Sequence, residues 1–511
     1  MNQPNLRLPL TTFVAFCAAA GLSACGTPDG AAFEVTQGLV VRNVTVVNTQ
    51  DGSLRPHTTI VVDGGQIKRL ITGAKVHASG SAVAIDGTGK FVVPGYLDMH
   101  THALPAADRT PSHWPALIAN GITGVREMAG SETLIQRARK LNEDSAAGRV
   151  DAPEILQVPG ELFVGRIQAP DAAVAEVQKQ KAQGASFIKI VNANRAVTLA
   201  VLAEAKNSHL GVAGHLPLAL SATDAANAGW RAVEHFGAGM GVLLDCAADP
   251  GAIRSALFRG EGAKPVLLPT AVVSPMLYRA ADAPFYQRIM QTLDNASCDA
   301  TAQAFAQNGT WQVPTLIRLR TMYMSDAAEY RNDPNLKYVD KTTRMLWQKL
   351  GAQYAAEVPA PAAEIFRSFY LAQRNLVGTM KRSKVPMLAG SDLGGIWVLP
   401  GFGLHQEFRE LAAAGLTPLE VLQATTLNGA KFLGRESTMG TVDEGKRADL
   451  VLLDADPTRH VSNLGRIAAV VLHGKLFTRE AIQTMMADLA QAYEDQPLKN
   501  LSAAFDPAHL H

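Results

Sequence analysis

Two patterns of apolar and polar positions divide the chain. From residue 35 to 93 the runs are short and alternate apolar with polar: "LVVRNVTVVN", "TTIVVDGGQIKRLI" and "AVAIDGTGKFVVP". Gly, Asp and Asn separate them, and a period of two predicts half-buried β-strands joined by turns. "DGGQI" marks a tight hairpin. The pattern returns near the C-terminus in "GTVDEGKRADLVLLDAD" and "IAAVVLHGKLFTRE", where "LHGKLF" marks another. Neither stretch has enough strands to stand alone. Residues 35–93 and 438–480 are therefore expected to form one small β-sandwich-like domain from both chain ends, which commonly lie close together.

Between them, over 94–437, apolar runs of four to seven residues alternate with helical stretches. "GVREM", "EILQV", "SFIKIV", "GVAGHL", "RAVEHF", "VPTLI" and "VPMLAG" read as strands. "DAAVAEVQKQKAQG" and "TLAVLAEAKNSHL" have helical spacing and favourable propensity. Strand–helix repetition over some three hundred residues predicts an α/β fold with parallel strands covered by helices, here a (β/α)8 TIM barrel. No Gly-x-Gly-x-x-Gly run opens a helix after the first strand, which counts against a dinucleotide fold. Residues 241–310 read as helices inserted after the sixth barrel strand, and 481–511 as a helical tail.

Composition narrows the class of partner. The chain has 511 residues, 47% of them apolar and 18% charged, so it is globular and large enough for more than one domain. Lys plus Arg (47) balances Asp plus Glu (46), which gives no basic patch for nucleic acid. A small-molecule substrate is the partner expected, and the sequence leaves a homo-oligomer open. Sustained heptads and short-period repeats are absent.

The chemistry sits at strand ends. His100 and His102 close the run "FVVPGYLDMHTH" and, being i and i+2 on a strand, point the same way. Two imidazoles so placed can converge on one ion at about 2.1 Å. His215 ends "GVAGHL", His235 ends "RAVEHF", Asp392 ends "VPMLAGSD" and Lys189 lies inside "GASFIKI". A barrel presents such positions at its C-terminal face, where active sites lie. Each has an ordinary alternative: Lys189 can snorkel to solvent, the histidines can be satisfied core residues, Asp392 can cap a helix. Taken together they favour a metal centre.

These stretches resemble the metal-dependent amidohydrolase superfamily, in its imidazolonepropionase-like and dipeptidase-like branch. "VVPGYLDMHTH" matches the first-strand HxH signature, "GASFIKI" the strand-four segment with a carboxylated Lys, "GHLPLALSATDAANAGWRAVEHF" the strand-five and strand-six histidines, and "MLAGSD" the strand-eight aspartate. "GLTPLEVLQATTLNGAKFLG" and "GTVDEGKRADLVLLD" match the usual C-terminal passages, so the likeness runs from about 35 to 480. It implies that His100, His102 and Asp392 hold the more buried of two divalent ions, zinc being the expected metal. It implies His215 and His235 on the second ion and carboxylated Lys189 bridging both. It also implies hydrolysis of an amide bond in a peptide-like or N-acyl amino acid substrate through a metal-bound hydroxide, with Asp392 as the catalytic proton acceptor. A lactone, a cyclic amide or an organophosphate ester is the alternative substrate, and a catalytically inactive metal-containing binding protein the alternative class. Ser186 and Glu127 stand where the family more often has Asp, and neither is an expected ligand. Substrate contacts are expected from Arg318 and Tyr323 in "VPTLIRLRTMY", from His405 in "GLHQEF" and from His113 after the first strand.

The first 25 residues read as a signal peptide: Arg7, a short apolar run, then small residues before Cys25. "LSAC" resembles a bacterial lipobox, with a plain cleaved signal as the alternative. The resemblance implies a lipid on Cys25 and a place on the periplasmic face of the outer membrane, Gly26 rather than Asp following. With Cys17 lost in the signal and Cys25 lipidated, Cys246 and Cys298 remain in an exported chain, and one disulfide between them is expected; two separate buried thiols are the alternative.

Overall fold

The computed structural model describes residues 33–106, 111–263 and 274–498; the signal segment, Cys25 and the residues after 498 lie outside them. One eight-stranded sheet draws on both chain ends. Its order is Lys475–Thr478, Ile467–Leu472, Leu450–Leu453, Phe91–Pro94, Leu39–Val47, Leu54–Asp63 and Gln66–Thr72, with Val83–Asp86 also paired to Leu39–Val47. The two ends meet where Leu450–Leu453 runs antiparallel to Phe91–Pro94. Both strands are continuous apolar runs because both faces are covered. Val92, Leu450 and Leu452 pack with Val41, Val44 and Val46, whereas Val93, Val451 and Leu453 face the main core. Phe33–Val35 and Val76–Ala78 form a separate parallel pair. The run "AVAIDGTGKFVVP" is broken into two strands at a turn in which Asp86 accepts from the Thr88 amide.

The rest is parallel α/β. Tyr96–Thr101, Ile122–Glu127 and Glu154–Gln157 form one parallel sheet; Phe187–Asn192, Gly211–Gly214, Ala232–Glu234 and Trp311–Val313 belong to another. The Ser186 amide donates to the Val158 carbonyl, linking the two sheets. An eighth segment, 386–393, is held on one side by Leu388 N–H on the Gln312 carbonyl and on the other by Met99 N–H on the Ala389 carbonyl. Helices follow the strands, with sequence-encoded ends. Ser131 caps Glu132–Ala146 by accepting from the Leu134 amide, and Gly184, at φ 88°, stops Pro170–Gln183.

The seventh strand ends earlier than "VPTLI" suggests. Pro314 has no N–H to continue the ladder, Thr315 turns to φ 44°, and a helix starts at Leu316. Arg318 and Tyr323 therefore lie on the helix Leu316–Tyr323 rather than at a strand end. After the sixth strand come the helices Gly241–Asp245, Pro250–Phe258, Ala283–Gln291 and Asn295–Asn308. Cys246 and Cys298 form the expected disulfide here, with Cα atoms 4.6 Å apart. It joins residues 52 apart, so full reduction is expected to remove up to about 4 kcal/mol on the chain-entropy model. A Cys246→Ser, Cys298→Ser double variant compared with wild type by denaturant unfolding checks this. The C-terminal helix Arg479–Asp495 seats Met486, Leu489 and Tyr493 against Ala116. No helix among the described residues is long and apolar enough to cross a membrane.

Candidate metal centre

Ligand atoms of His100, His235 and Asp392 all lie within 4.8 Å of one another. Asp392 is the hub. Its Oδ1 is 3.4 Å from His100 Nε2 and 3.3 Å from His102 Nε2, and its Oδ2 is 3.8 Å from His235 Nε2. The His215 ring stands 5.1 Å from that of His235, centroid to centroid. Burial holds His100 and His215 well below the usual imidazole range and His235 down to about 3, so these rings offer lone pairs at neutral pH. Burial opposes ionisation of Asp392, yet its neighbours His100, His102 and His235 hold the carboxyl well below the usual range. Burial brings the Lys189 ammonium down to about 8 against the pull of Asp392, Glu234 and Glu127.

His100 Nε2 and Asp392 Oδ1 are buried without a hydrogen-bond partner. A buried acceptor left unmatched costs about 1–3 kcal/mol. Here two of them face each other, one on a neutral ring and one on a carboxylate. A divalent cation satisfies both, so the residues present fit a metal ion.

Local backbone geometry makes the convergence possible. His235 (φ 55°), Phe236 (φ 50°) and Asp392 (φ 57°) are all left-handed non-glycine residues, each a strained conformation held by its surroundings. The Asp392 amide donates to the His100 carbonyl at 2.8 Å, and the Asp98 carboxylate accepts from the Ser391 amide at 2.9 Å and from its hydroxyl. In "GSDLGG" the glycines give room to the functional side chains. A Cβ on Gly390 would lie 2.8 Å from His100 Cβ, and one on Gly394 2.9 Å from His102 Cβ. Gly390→Ala is expected to displace His100, lower stability by about 1–3 kcal/mol and weaken metal binding, as thermal unfolding and a metal titration would read.

A second ring of contacts orients the first. His100 Nδ1 lies 2.7 Å from Glu234 Oε2, and Arg126 donates to Glu234 Oε1 at 2.9 Å. His235 Nδ1 is hydrogen-bonded to the Thr315 hydroxyl. Arg318 Nε sits 3.1 Å from Asp392 Oδ2, and its helix start is capped by Glu407, which accepts from the Ile317 amide at 2.8 Å. Glu127 accepts from the amides of Leu104, Met128 and Ala129, so its carboxylate is used to anchor loops. Sequence reasoning missed Glu234, Arg126 and Asp98. Only Glu234 gave a signal, an acid inside an apolar strand directly before a candidate ligand.

Not every expected substrate contact is at the centre. Arg318 reaches Asp392, but His405 does not. Its Nε2 donates to the Asn120 carbonyl at 2.9 Å and its ring packs on Tyr96 and Phe408, because the helix Phe402–Ala413 turns this face toward the start of the first parallel strand. Tyr323 is fully buried among Tyr278, Tyr286, Phe366 and Phe369, which leaves it no surface for a substrate. Tyr278, within electrostatic reach of Arg318 and Asp392, packs against it at 4.1 Å. His113 is buried with its ring on Trp114, at the start of the helix Trp114–Ala119.

The amidohydrolase family model matches residues 373–477, the stretch that holds Asp392 and part of the two-ended sheet. An imidazolonepropionase of Symbiobacterium thermophilum is 38% identical over 69 residues, 13% of this chain; the match spans 16% of that relative's length. Among solved structures, bottromycin amidohydrolase aligns with a TM-score of 0.66 at 19% identity, covering 92% of this chain and 93% of that one. A Xaa-Pro dipeptidase with bound methionine in its active site aligns with a TM-score of 0.59 at 18% identity, over 86% of this chain and 100% of that one. The chain therefore has an amidohydrolase-type α/β fold, related to those of known TIM-barrel hydrolases.

Proposed function

We propose that this protein is a binuclear metal-dependent amidohydrolase that cleaves an amide bond in a peptide-like or N-acyl amino acid substrate. The observation that carries the reading is the convergence of His100, His235 and Asp392, with two buried acceptor atoms facing each other. His100, His102 and Asp392 would hold the more buried ion, His215 and His235 the second, and a carboxylated Lys189 would bridge them. Zinc suits this mixed imidazole and carboxylate set. Divalent ions held here supply Lewis acidity to the scissile carbonyl and lower the pKa of water. The chain's own groups do the rest. Asp392 takes the proton released as water attacks and hands it to the leaving amine nitrogen. Arg318, on Asp392 Oδ2, keeps that carboxylate ionised and oriented, and stands where a substrate carboxylate can meet it. The likeness in fold to a Xaa-Pro dipeptidase supports a peptide-like substrate.

The deciding experiment is a hydrolysis screen of dipeptides, N-acyl amino acids, lactones and phosphotriesters, with ions per chain counted on the same sample. Turnover of amides with two ions per chain is expected. Turnover confined to lactones or phosphotriesters would overturn the amide assignment, and a metal-loaded sample inert on the whole panel would leave a binding protein.

The eight parallel segments, each hydrogen-bonded to its neighbours, support a closed (β/α)8 barrel over 94–437. The two-ended sheet with its companion pair supports a small β-sandwich-like domain from 35–93 and 438–480. The 1–25 segment supports export, with a lipid on Cys25 anchoring the protein at the periplasmic face of the outer membrane, and self-association there is part of the proposal. Mass spectrometry of the mature N-terminus is expected to show a diacylglycerol-modified Cys25; an unmodified cysteine rules the anchor out.

A further inference from the structure

We infer that Glu234 is the positioning residue for His100, with Arg126 as its anchor; this rests on the metal-centre reading above. An imidazole presents an ion with a lone pair on one nitrogen only if the proton sits on the other. His100 Nδ1 lies 2.7 Å from Glu234 Oε2, so the carboxylate draws the proton to Nδ1 and leaves Nε2 bare toward Asp392 Oδ1. The second carboxylate oxygen is taken as well. Arg126 donates to Glu234 Oε1 at 2.9 Å, so both oxygens are occupied and Glu234 is not itself a ligand.

Arg126 is held in turn. It also donates to the Met99 carbonyl at 3.3 Å, and its guanidinium stacks at 4.5 Å on Phe187 and 5.0 Å on Phe432. His100, Arg126 and Glu234 are all fully buried, so solvent screens none of these contacts. The three residues come from the first, second and sixth parallel strands. A guanidinium paired with the buried carboxylate holds it in place, and so fixes both the tautomer and the ring plane of His100. The strand end "VEH" thus carries two functions: Glu234 sets the ligand of a distant strand, and His235 is a ligand itself.

Glu234→Gln keeps the shape but has only one acceptor oxygen, so either His100 or Arg126 loses its partner. The expected result is a zinc affinity weaker by about 10- to 100-fold in a chelator competition, with an unchanged far-UV spectrum. Arg126→Lys, which keeps the charge, is expected to show a smaller loss. A purely structural ion pair predicts a lower melting temperature for the metal-free protein with wild-type zinc affinity, and that result overturns the inference. The tautomer is read independently in the wild-type metal-free protein by 15N-histidine NMR, with His100→Asn assigning the signal. A protonated Nδ1 at His100 supports the inference even where Glu234→Gln does not fold; a protonated Nε2 overturns it. Wild-type protein that takes up no zinc overturns the metal-centre reading as well, whereas zinc uptake with unchanged affinity in Glu234→Gln removes this inference alone.

Discussion

Asp392→Asn is expected to lose about 10³- to 10⁴-fold in kcat with the fold retained, the largest effect among single substitutions in this protein. The carboxylate is used on both sides: Oδ1 faces His100 and His102, and Oδ2 meets Arg318. Asn has one oxygen. If that oxygen turns to Arg318, an NH2 group faces the ion and repels it; if it turns to the imidazoles, the NH2 group faces a guanidinium. On the proposed mechanism, the proton acceptor for the attacking water is lost either way. The backbone should tolerate the change, because Asn adopts the left-handed conformation at φ 57° more readily than most residues. Kinetics in metal-replete buffer, an ion count and a far-UV spectrum together check the prediction. Full activity in the folded variant would remove Asp392 from the chemistry.

Much of this centre was legible because strand ends announce themselves. His100, His235 and Asp392 each follow a short apolar run, and a polar residue there has few structural uses. The two-ended sheet was legible in the short β-like runs at both termini, although the two strands that join the ends, Phe91–Pro94 and Leu450–Leu453, are unbroken apolar runs. The supporting residues were hidden. Arg126 lies inside "GVREM" and looks like an exposed charge on an ordinary strand; only the fold shows it fully buried, stacked on Phe187 and paired with Glu234. Asp98, between His100 and an apolar run, gives no sign that it braces Ser391, because that contact joins residues 293 apart. His405 misled for the opposite reason. Sequence proximity to Asp392 placed it near the site, but the helix Phe402–Ala413 carries it to Asn120 and Tyr96 instead. Pro314 carried the signal that ends the seventh strand, and with it the position of Arg318 on a helix.

On the proposed binuclear reading, Lys189→Ala is expected to reduce bound metal from two ions per chain to one and kcat by at least about 100-fold, the second largest effect. An ammonium beside a dication repels it, so on the proposed reading Lys189 would serve an ion only after its charge is reversed. The route proposed is addition of its free amine to CO2: a new nitrogen–carbon bond would form, a proton would leave, and an anion with two ligand oxygens would result. Burial makes this accessible by bringing the ammonium down to about 8, so that roughly one amine in ten is free at pH 7. The sign of the pH effect follows. In metal-free protein at fixed dissolved CO2, the free-amine fraction rises from about 1% at pH 6 to about half at pH 8. Uptake of labelled CO2 should therefore be tens of times faster at the higher pH. The alanine variant should abolish that uptake and leave space at the position paired with Ala213 across the strands, which a small carboxylate can enter. Formate or propionate should then restore part of the turnover and the second ion. A Lys189→Ala protein that keeps two ions and full kcat would show that the bridge is not made by this residue, and a wild-type protein that takes up no CO2 at pH 8 would show that the amine is never carboxylated.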